Sequence, residues 1–344
     1  MSSCQTRANK LRPNKPQPKG AKQMWVLGID VSQKELVVRF QNEGQEFREG
    51  TFVNQSKGFK KLKKWLKPVN PADIRVCMEA TNVYWEEIAE YLHQEGLQVS
   101  VVNPMRIKGF AQSQLKRNKT DKVDAQVIAK FCQVNPDLAL WTPPTPQQKK
   151  LRALVRHREA LVKSRTQQSN RLKTVRQGEV VLSLKAVIAV LDEQIEQASD
   201  QIKELIDQDP DLKQECDWLR SIKGIGQKTA ELILAEMYDL ADYDSARSAA
   251  ADAGLTPAHH VSGSSVRRKP RLSKVGKTAV RGALFFPALS AIRHNPIVRD
   301  LAERLERRGK HRMVIIGAAM RKLLHLAFGV LKNRTPFDPN FISL

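Results

Sequence analysis

No stretch of this chain is apolar for long enough to span a bilayer, and the first 23 residues lack the apolar centre of a secretion signal. Cysteine is scarce. Cys4, Cys77, Cys132 and Cys216 are scattered, with no CxxC pair and no histidine cluster at zinc spacing. That excludes a disulfide scaffold or a zinc ribbon and reads as reduced thiols in a cytoplasmic protein. Acid is scarce as well: 36 Asp and Glu face 58 Lys and Arg, for a formal net charge of +22. The shortage is local. Residues 1–23, read as a disordered basic arm, hold six Lys and Arg and no acid, and Ala253–Arg299 contains no Asp or Glu at all. So large an excess predicts a polyanionic partner, nucleic acid first. An anionic membrane surface lacks the basic amphipathic terminal helix it would need, and no membrane partner is expected. What is present in plenty is ordinary: 41% hydrophobic and 27% charged residues over 344 positions, enough for two or three domains with real cores.

The few acids are placed at suggestive points. Arg117–Cys132 reads RNKTDKVDAQVIAKFC, with Asp121 and Asp124 three residues apart where a helical pattern begins. On a helix they share a face. Thr120 as N-cap and a favourable helix dipole would explain them without any chemistry. Arg117, Lys119 and Lys122 around them suit a divalent metal beside a phosphate instead. Upstream, MWVLGID ends in Asp30 and IRVCME ends in Glu79, each an apolar strand closed by an acid. The order read from periodicity over 24–145 is βββαβαβα, an α/β layered domain. Ligand sites in such sheets lie outside the carboxyl ends of adjacent strands. Four acids at one edge repel unless cations neutralise them, and the set suits two magnesium ions about 3.5–4 Å apart.

WTPPTP at 141–146 predicts a linker. Residues 146–212 then read as two helices. The first is basic, and Arg158, Arg165 and Gln168 interrupt its apolar seam. The second carries Val181, Leu184, Ile188, Leu191, Ile195, Ala198, Ile202 and Leu205 in alternating steps of three and four, a coiled-coil seam. A hairpin folded on itself is the simplest product, and pairing between subunits is favoured slightly. Within 213–344, Leu219–Met237 resembles a helix-hairpin-helix DNA-binding element, with Gly224 and Gly226 in a tight turn beside Lys223 and Lys228. Beyond it, Arg267, Arg268, Lys269, Arg271, Lys274, Lys277 and Arg281 crowd Ser262, Ser264, Ser265 and Ser273 in a stretch read as a loop. Hydroxyls among cations suit an attacked phosphodiester, and local sequence does not choose among the four serines. Val314–Lys332 is an amphipathic core helix, and 337–344 a frayed tail.

GID at Gly28–Asp30, MEAT at Met78–Thr81 and RNKTDKVDA at Arg117–Ala125 resemble the DEDD-type transposases of bacterial insertion sequences. That family is related to the Piv/MooV invertases and is guided by a bridge RNA. The resemblance implies an α/β ribonuclease H/RuvC-like N-terminal domain, a helical coiled-coil middle and a mainly α C-terminal transposase domain. It implies a metal-binding tetrad of Asp30, Glu79, Asp121 and Asp124, holding Mg²⁺ with Mn²⁺ able to substitute. Among the serines it selects the first of SGSSVR, Ser262, as a nucleophile, with Ser264 or Ser265 as fallback. DNA ends and target, a structured guide RNA, a dimer or tetramer, and a cytoplasmic, nucleoid-associated location follow as expectations. Asn82 stands where the family has Gly after its MEAT-like motif, and Asn tolerates the left-handed backbone a Gly often marks. The activity expected is DNA recombination through a covalent phosphoserine, with the two domains meeting on one phosphate. A junction-resolving metal nuclease that uses water is the rival of the same kind. A non-catalytic DNA-binding protein is the rival from another class.

Overall fold

The computed structural model describes residues 24–43, 46–67, 69–114, 120–262 and 266–340, with the backbone alone for 259–262 and 266–270. The expectations for the basic arm at 1–23, for Arg117 and Lys119, for Ser264 and Ser265, and for the tail at 341–344 lie outside the described residues. The chain divides into two compact units between Pro143 and Pro144.

In the first unit, β1 (Trp25–Val31), β2 (Glu35–Asn42) and β3 (Phe47–Val53) form an antiparallel meander. After α1 (Ser56–Leu66), β4 (Ile74–Glu79) lies parallel to β1; after α2 (Glu86–Gln94), β5 (Gln98–Val102) lies parallel to β4. The sheet order is β3-β2-β1-β4-β5, consistent with a RuvC-like DEDD domain. Two helices follow, α3 (Pro104–Ser113) and α4 (Asp121–Val134). Sequence periodicity did not show α3. Pro104 stops the strand as expected, but it also sits at the first helical position, where its missing N–H costs nothing. The Asn103 side chain accepts the Met105 N–H at 2.9 Å and caps the new helix.

Strand alternation assigns the two faces of the sheet. Leu27, Ile29, Val76 and Met78 pack with Phe59 and Leu62 of α1 and Ile88 and Leu92 of α2. Val26, Cys77 and Val102 pack with Val127, Ile128 and Phe131 of α4. Each such side chain, fully buried, contributes about 1.5–3 kcal/mol.

The second unit opens with α5 (Pro146–Leu172) and α6 (Gly178–Gln208), followed by α7 (Pro210–Ser221) and α8 (Gln227–Glu236). Along α6 the eight seam residues are buried or half-buried, while most positions between them are exposed. The seam is covered by α5 of the same chain, so it does not by itself require a second copy. Two of the residues that break the α5 seam are ion-paired. Arg165 grips Asp192 of α6 through two hydrogen bonds at 2.7 and 3.3 Å, and Arg158, 1% exposed, pairs with Glu231 of α8.

Next come α9 (Ala246–Asp252), β6 (Pro257–Ser262), β7 (Val266–Leu272), α10 (Thr278–Ala283), α11 (Phe285–His294), α12 (Pro296–Arg307) and α13 (Arg312–Asn333). The serine-rich stretch is therefore a two-stranded antiparallel hairpin, not a loop. Pro270 misled the sequence reading, because proline is tolerated in a strand at a sheet edge and here both strands are edges. By length and composition α13 could cross a bilayer, a correction to the sequence reading, yet it is the core helix of this unit, with Ile316, Met320, Leu323 and Leu324 buried. The frayed tail expected over 337–344 does not include Phe337. The Phe337 N–H donates to Ser221 Oγ at 2.7 Å, and its side chain packs on the core.

Candidate active site

Asp30 and Glu79 lie at the carboxyl ends of adjacent parallel strands. The β1–β4 register pairs Ile29 with Met78, so Asp30 and Glu79 stand level one step further on. Alternation from Gly28 and from Cys77 turns both toward the side of the sheet that α4 covers. Both are half-buried. Glu79 is oriented by its neighbour: Thr81 Oγ1 donates to Glu79 Oε1 at 2.9 Å.

The direction of α4 follows from two contacts. A side chain on Gly28 would place its Cβ 2.3 Å from the Ala129 nitrogen and 2.5 Å from the Ala125 carbonyl oxygen. At the other end, Gln133 Oε1 accepts from Gln41 Nε2 at 2.8 Å, and Gln41 is the β2 partner of Val26. The helix thus runs antiparallel to β1 and begins over its carboxyl end. Asp124, adjacent to Ala125, is half-buried at the Asp30 end, and Asp121 is exposed one turn earlier. Thr120 caps the helix by accepting the Val123 N–H at 3.3 Å, as the capping explanation of this helix start expects.

The backbone therefore delivers all four predicted acids to one edge. As donors they are hard carboxylate oxygens, the type magnesium takes. Among the described residues, however, no three acidic, histidine or cysteine side chains converge closely enough to cage a cation. The donor chemistry of the acids suits a divalent metal, while their side chains stay apart. Beneath them Cys77 and Cys132 are buried free thiols. The hydrogen bond to Cys132 and burial hold the Cys77 proton far above the usual thiol range.

In the second unit, Ser262 ends β6 and pairs with Val266; Val261 pairs with Arg267 and His260 with Arg268. The backbone thus sets Ser262 at the hairpin end with cationic residues along the neighbouring strand. Lys269 lies on the same strand, and Arg271 and Lys274 are exposed just after it. Two predicted nucleic-acid contacts have other duties. Lys277 Nζ donates to the Glu236 carbonyl at 2.8 Å, at the carboxyl end of α8, and lies 3.4 Å from Asp252. Arg281 donates to the Ala253 carbonyl at 3.3 Å and to Thr278 Oγ1 at 3.1 Å. Lys277 thus ties the chain after β7 to α8 and α9, and Arg281 ties α10 to the end of α9.

Lys223 is exposed on the turn between α7 and α8, and Lys228 is exposed in the first turn of α8. Gly224 has φ 111°, and a Cβ there would stand 2.7 Å from the Ala291 side chain, so the turn nests on α11. Buried Asn295 fixes it: its Nδ2 donates to the Lys223 carbonyl at 3.2 Å while its Oδ1 accepts the Val298 N–H at 3.3 Å. Sequence reasoning missed Asn295, although Asn before Pro296 is a helix-start signal. It also missed the role of Gly28, which a glycine inside a strand can flag as a close backbone approach. His294 is exposed at the end of α11.

A family model described as a transposase of the DEDD IS110 type matches residues 27–178. Another, described as transposase IS116/IS110/IS902 family, matches 216–303. The chain is 33% identical over 324 residues to the pilin gene-inverting protein of Moraxella bovis, covering 91% of this chain and 97% of that one. The pilin gene-inverting protein of Moraxella lacunata is similar to the same degree. The transposase for insertion sequence element IS1328 of Yersinia enterocolitica is 27% identical over 205 residues, covering 51% of this chain and 59% of that one.

Proposed function

Because the chain belongs to the IS110/Piv-related transposase family, we propose that it cuts and rejoins DNA through a phosphoserine link formed by Ser262. The observation that carries this reading is the seating of α4 on Gly28, which sets Asp124 at the sheet edge that Asp30 and Glu79 share. Asp30, Glu79, Asp121 and Asp124 would hold Mg²⁺, or Mn²⁺ in its place; when bound it supplies Lewis-acid neutralisation of charge on the phosphate. In the transfer, Ser262 Oγ bonds to phosphorus as the bond from phosphorus to one deoxyribose oxygen breaks. The hydroxyl proton goes to a carboxylate base and the departing oxygen takes a proton in turn. The displaced strand's hydroxyl can later reverse the step on a new partner, so no high-energy cofactor is consumed. Lys223, Lys228, Arg267, Arg268, Lys269, Arg271 and Lys274 bind the nucleic-acid backbone.

The net charge of +22 supports a nucleic-acid partner, and a guide RNA that pairs with donor and target DNA is the second partner of this reading. The protein acts as a dimer or tetramer in the bacterial cytoplasm at the nucleoid.

The test is an incubation of the full chain with its own element's DNA ends, flanking RNA and Mg²⁺, resolved on denaturing gels. Wild type is expected to yield DNA covalently bound to protein. Ser262→Ala and Asp121→Asn are expected to yield none, with folding unchanged by circular dichroism. Cutting by Ser262→Ala without an adduct would hand the reaction to water and the nuclease reading. Full activity in Asp121→Asn would remove the tetrad.

A further inference from the structure

The β1–β4 ladder stops one step short of the acids: its last pair is Ile29 with Met78. Beyond it each acid pairs outward, Asp30 with Val37 of β2 and Glu79 with Val102 of β5. No ladder pair joins β1 to β4 at the level of the acids, and neighbouring strands twist relative to one another. The spacing of the two carboxylates therefore falls to the loops that follow, 32–34 after β1 and 80–85 after β4.

Both loops are bound by one side chain. Asn54, half-buried just after β3, donates from Nδ2 to the Ser32 carbonyl at 2.9 Å and to the Tyr84 carbonyl at 3.0 Å. Its own N–H donates to the Lys34 carbonyl at 2.8 Å. Because β3 runs antiparallel to β2 and β2 to β1, the end of β3 lies at the edge where β1 and β4 end. Ser32 follows Asp30 by two residues. Tyr84 follows Glu79 across a turn that contains the left-handed Asn82 and Thr81, the residue that holds the Glu79 carboxylate. The mount is firm: a Cβ on Gly58 of α1 would stand 1.9 Å from the Val53 carbonyl oxygen, so α1 is seated against the residue before Asn54. An amide is what this place requires. Both partners are carbonyls, which only accept, and Asn has two amide hydrogens to give. Asp would set a carboxylate against the same two oxygens.

We propose that Asn54 is a positioning residue, which clasps the loops after β1 and β4 so that Asp30 and Glu79 stay within reach of one divalent cation. The proposal rests on the reading of those acids as metal ligands. Asn54 acts through the two loops, not on the cation itself. Removing a group that orients metal ligands from outside lowers metal affinity by about 10–100-fold.

The test titrates Mn²⁺ into the full chain without nucleic acid and measures free Mn²⁺ by electron paramagnetic resonance. Asn54→Ala is expected to bind Mn²⁺ about tenfold more weakly than wild type. Asn54→Ser, whose one O–H can hold one carbonyl at most, is expected to weaken binding in the same direction. Gln98→Ala is the control. It removes a bond from Nε2 to the Ala72 carbonyl at 3.3 Å, at the opposite edge of the same sheet, and is expected to leave the affinity unchanged. Wild-type affinity in folded Asn54→Ala would overturn the proposal; where that variant does not fold, wild-type affinity in Asn54→Ser would do so. An equal loss in Gln98→Ala would overturn it too, because the effect would then be one of general stability. Asp30→Asn tests the underlying reading separately. If it binds as wild type does, or if wild type binds no Mn²⁺, the acids are not the ligands and both readings fall. If Asp30→Asn is weakened and Asn54→Ala is not, the metal reading stands and only the clasp is lost.

Discussion

At Gly28 a missing side chain decides how near α4 comes to β1. Gly28→Ala would drive a methyl into the Ala129 nitrogen and the Ala125 carbonyl, both main-chain atoms without a rotamer to yield. Urea unfolding is expected to show a loss of about 1–3 kcal/mol, and strand transfer should fall further than stability does because Asp124 moves with the helix. Asn82 shows what single residues reveal in advance: its φ of 51° is the left-handed backbone that its place after MEAT suggested. His325 was invisible by comparison. Its Nε2 is buried without a partner, and burial first, then Arg321, Lys322 and Arg247, lowers its pKa from 6.5 to about 4. A histidine kept neutral by folding leaves the unfolded chain with more bound protons between those values, so stability falls as pH drops through that window. The melting temperature is expected to decline from pH 6.5 toward pH 4, and His325→Leu to flatten the decline. Equal slopes in both proteins would remove His325 as the cause.

Helices α5 and α8 are held by a charge pair where apolar residues would be the ordinary choice. Arg158 and Glu231 are both almost fully buried, and Arg158 leaves Nε and Nη2 without hydrogen-bond partners. Deleting one partner strands the other's charge: Arg158→Ala is expected to cost about 3–5 kcal/mol. The double change Arg158→Met with Glu231→Leu should recover most of it, as read by chemical denaturation. Failure of the double change to recover stability would mean that shape, not charge, is what the pair supplies. The seam of α6 was legible because its period is unbroken, whereas Arg158 could only look like a fault in α5: its partner lies 73 residues away. The hairpin of β6 and β7 was hidden for a different reason. Gly263 and Pro270 break a strand by local rules, and the cross-strand bonds that overrule them are not local. Likewise Pro104 marked the end of β5 but not the start of α3.

Taken as a whole molecule, the chain carries its charge surplus where acids are missing, and binding should show it. If Lys223, Lys228, Arg267, Arg268, Lys269, Arg271 and Lys274 each meet a phosphate, the logarithm of duplex affinity is expected to fall with the logarithm of salt at a slope of roughly −6.3. Changing Lys223 and Lys228 together to Gln should reduce that slope by about 2. An unchanged slope would place the duplex elsewhere. At this scale the sequence was informative about class: strand-end acids announced the edge, and three short motifs carried the family. It could not reveal that the four carboxylates reach the edge without closing into a cage, since side-chain convergence depends on rotamers and not on order along the chain.

The tie between Phe337 and Ser221 has a practical side. Ser221 is the last residue of α7, one step before the turn that bears Lys223. A peptide joined directly after Phe337 would start beside that turn, so an acidic purification handle placed there would compete with DNA for Lys223 and Lys228.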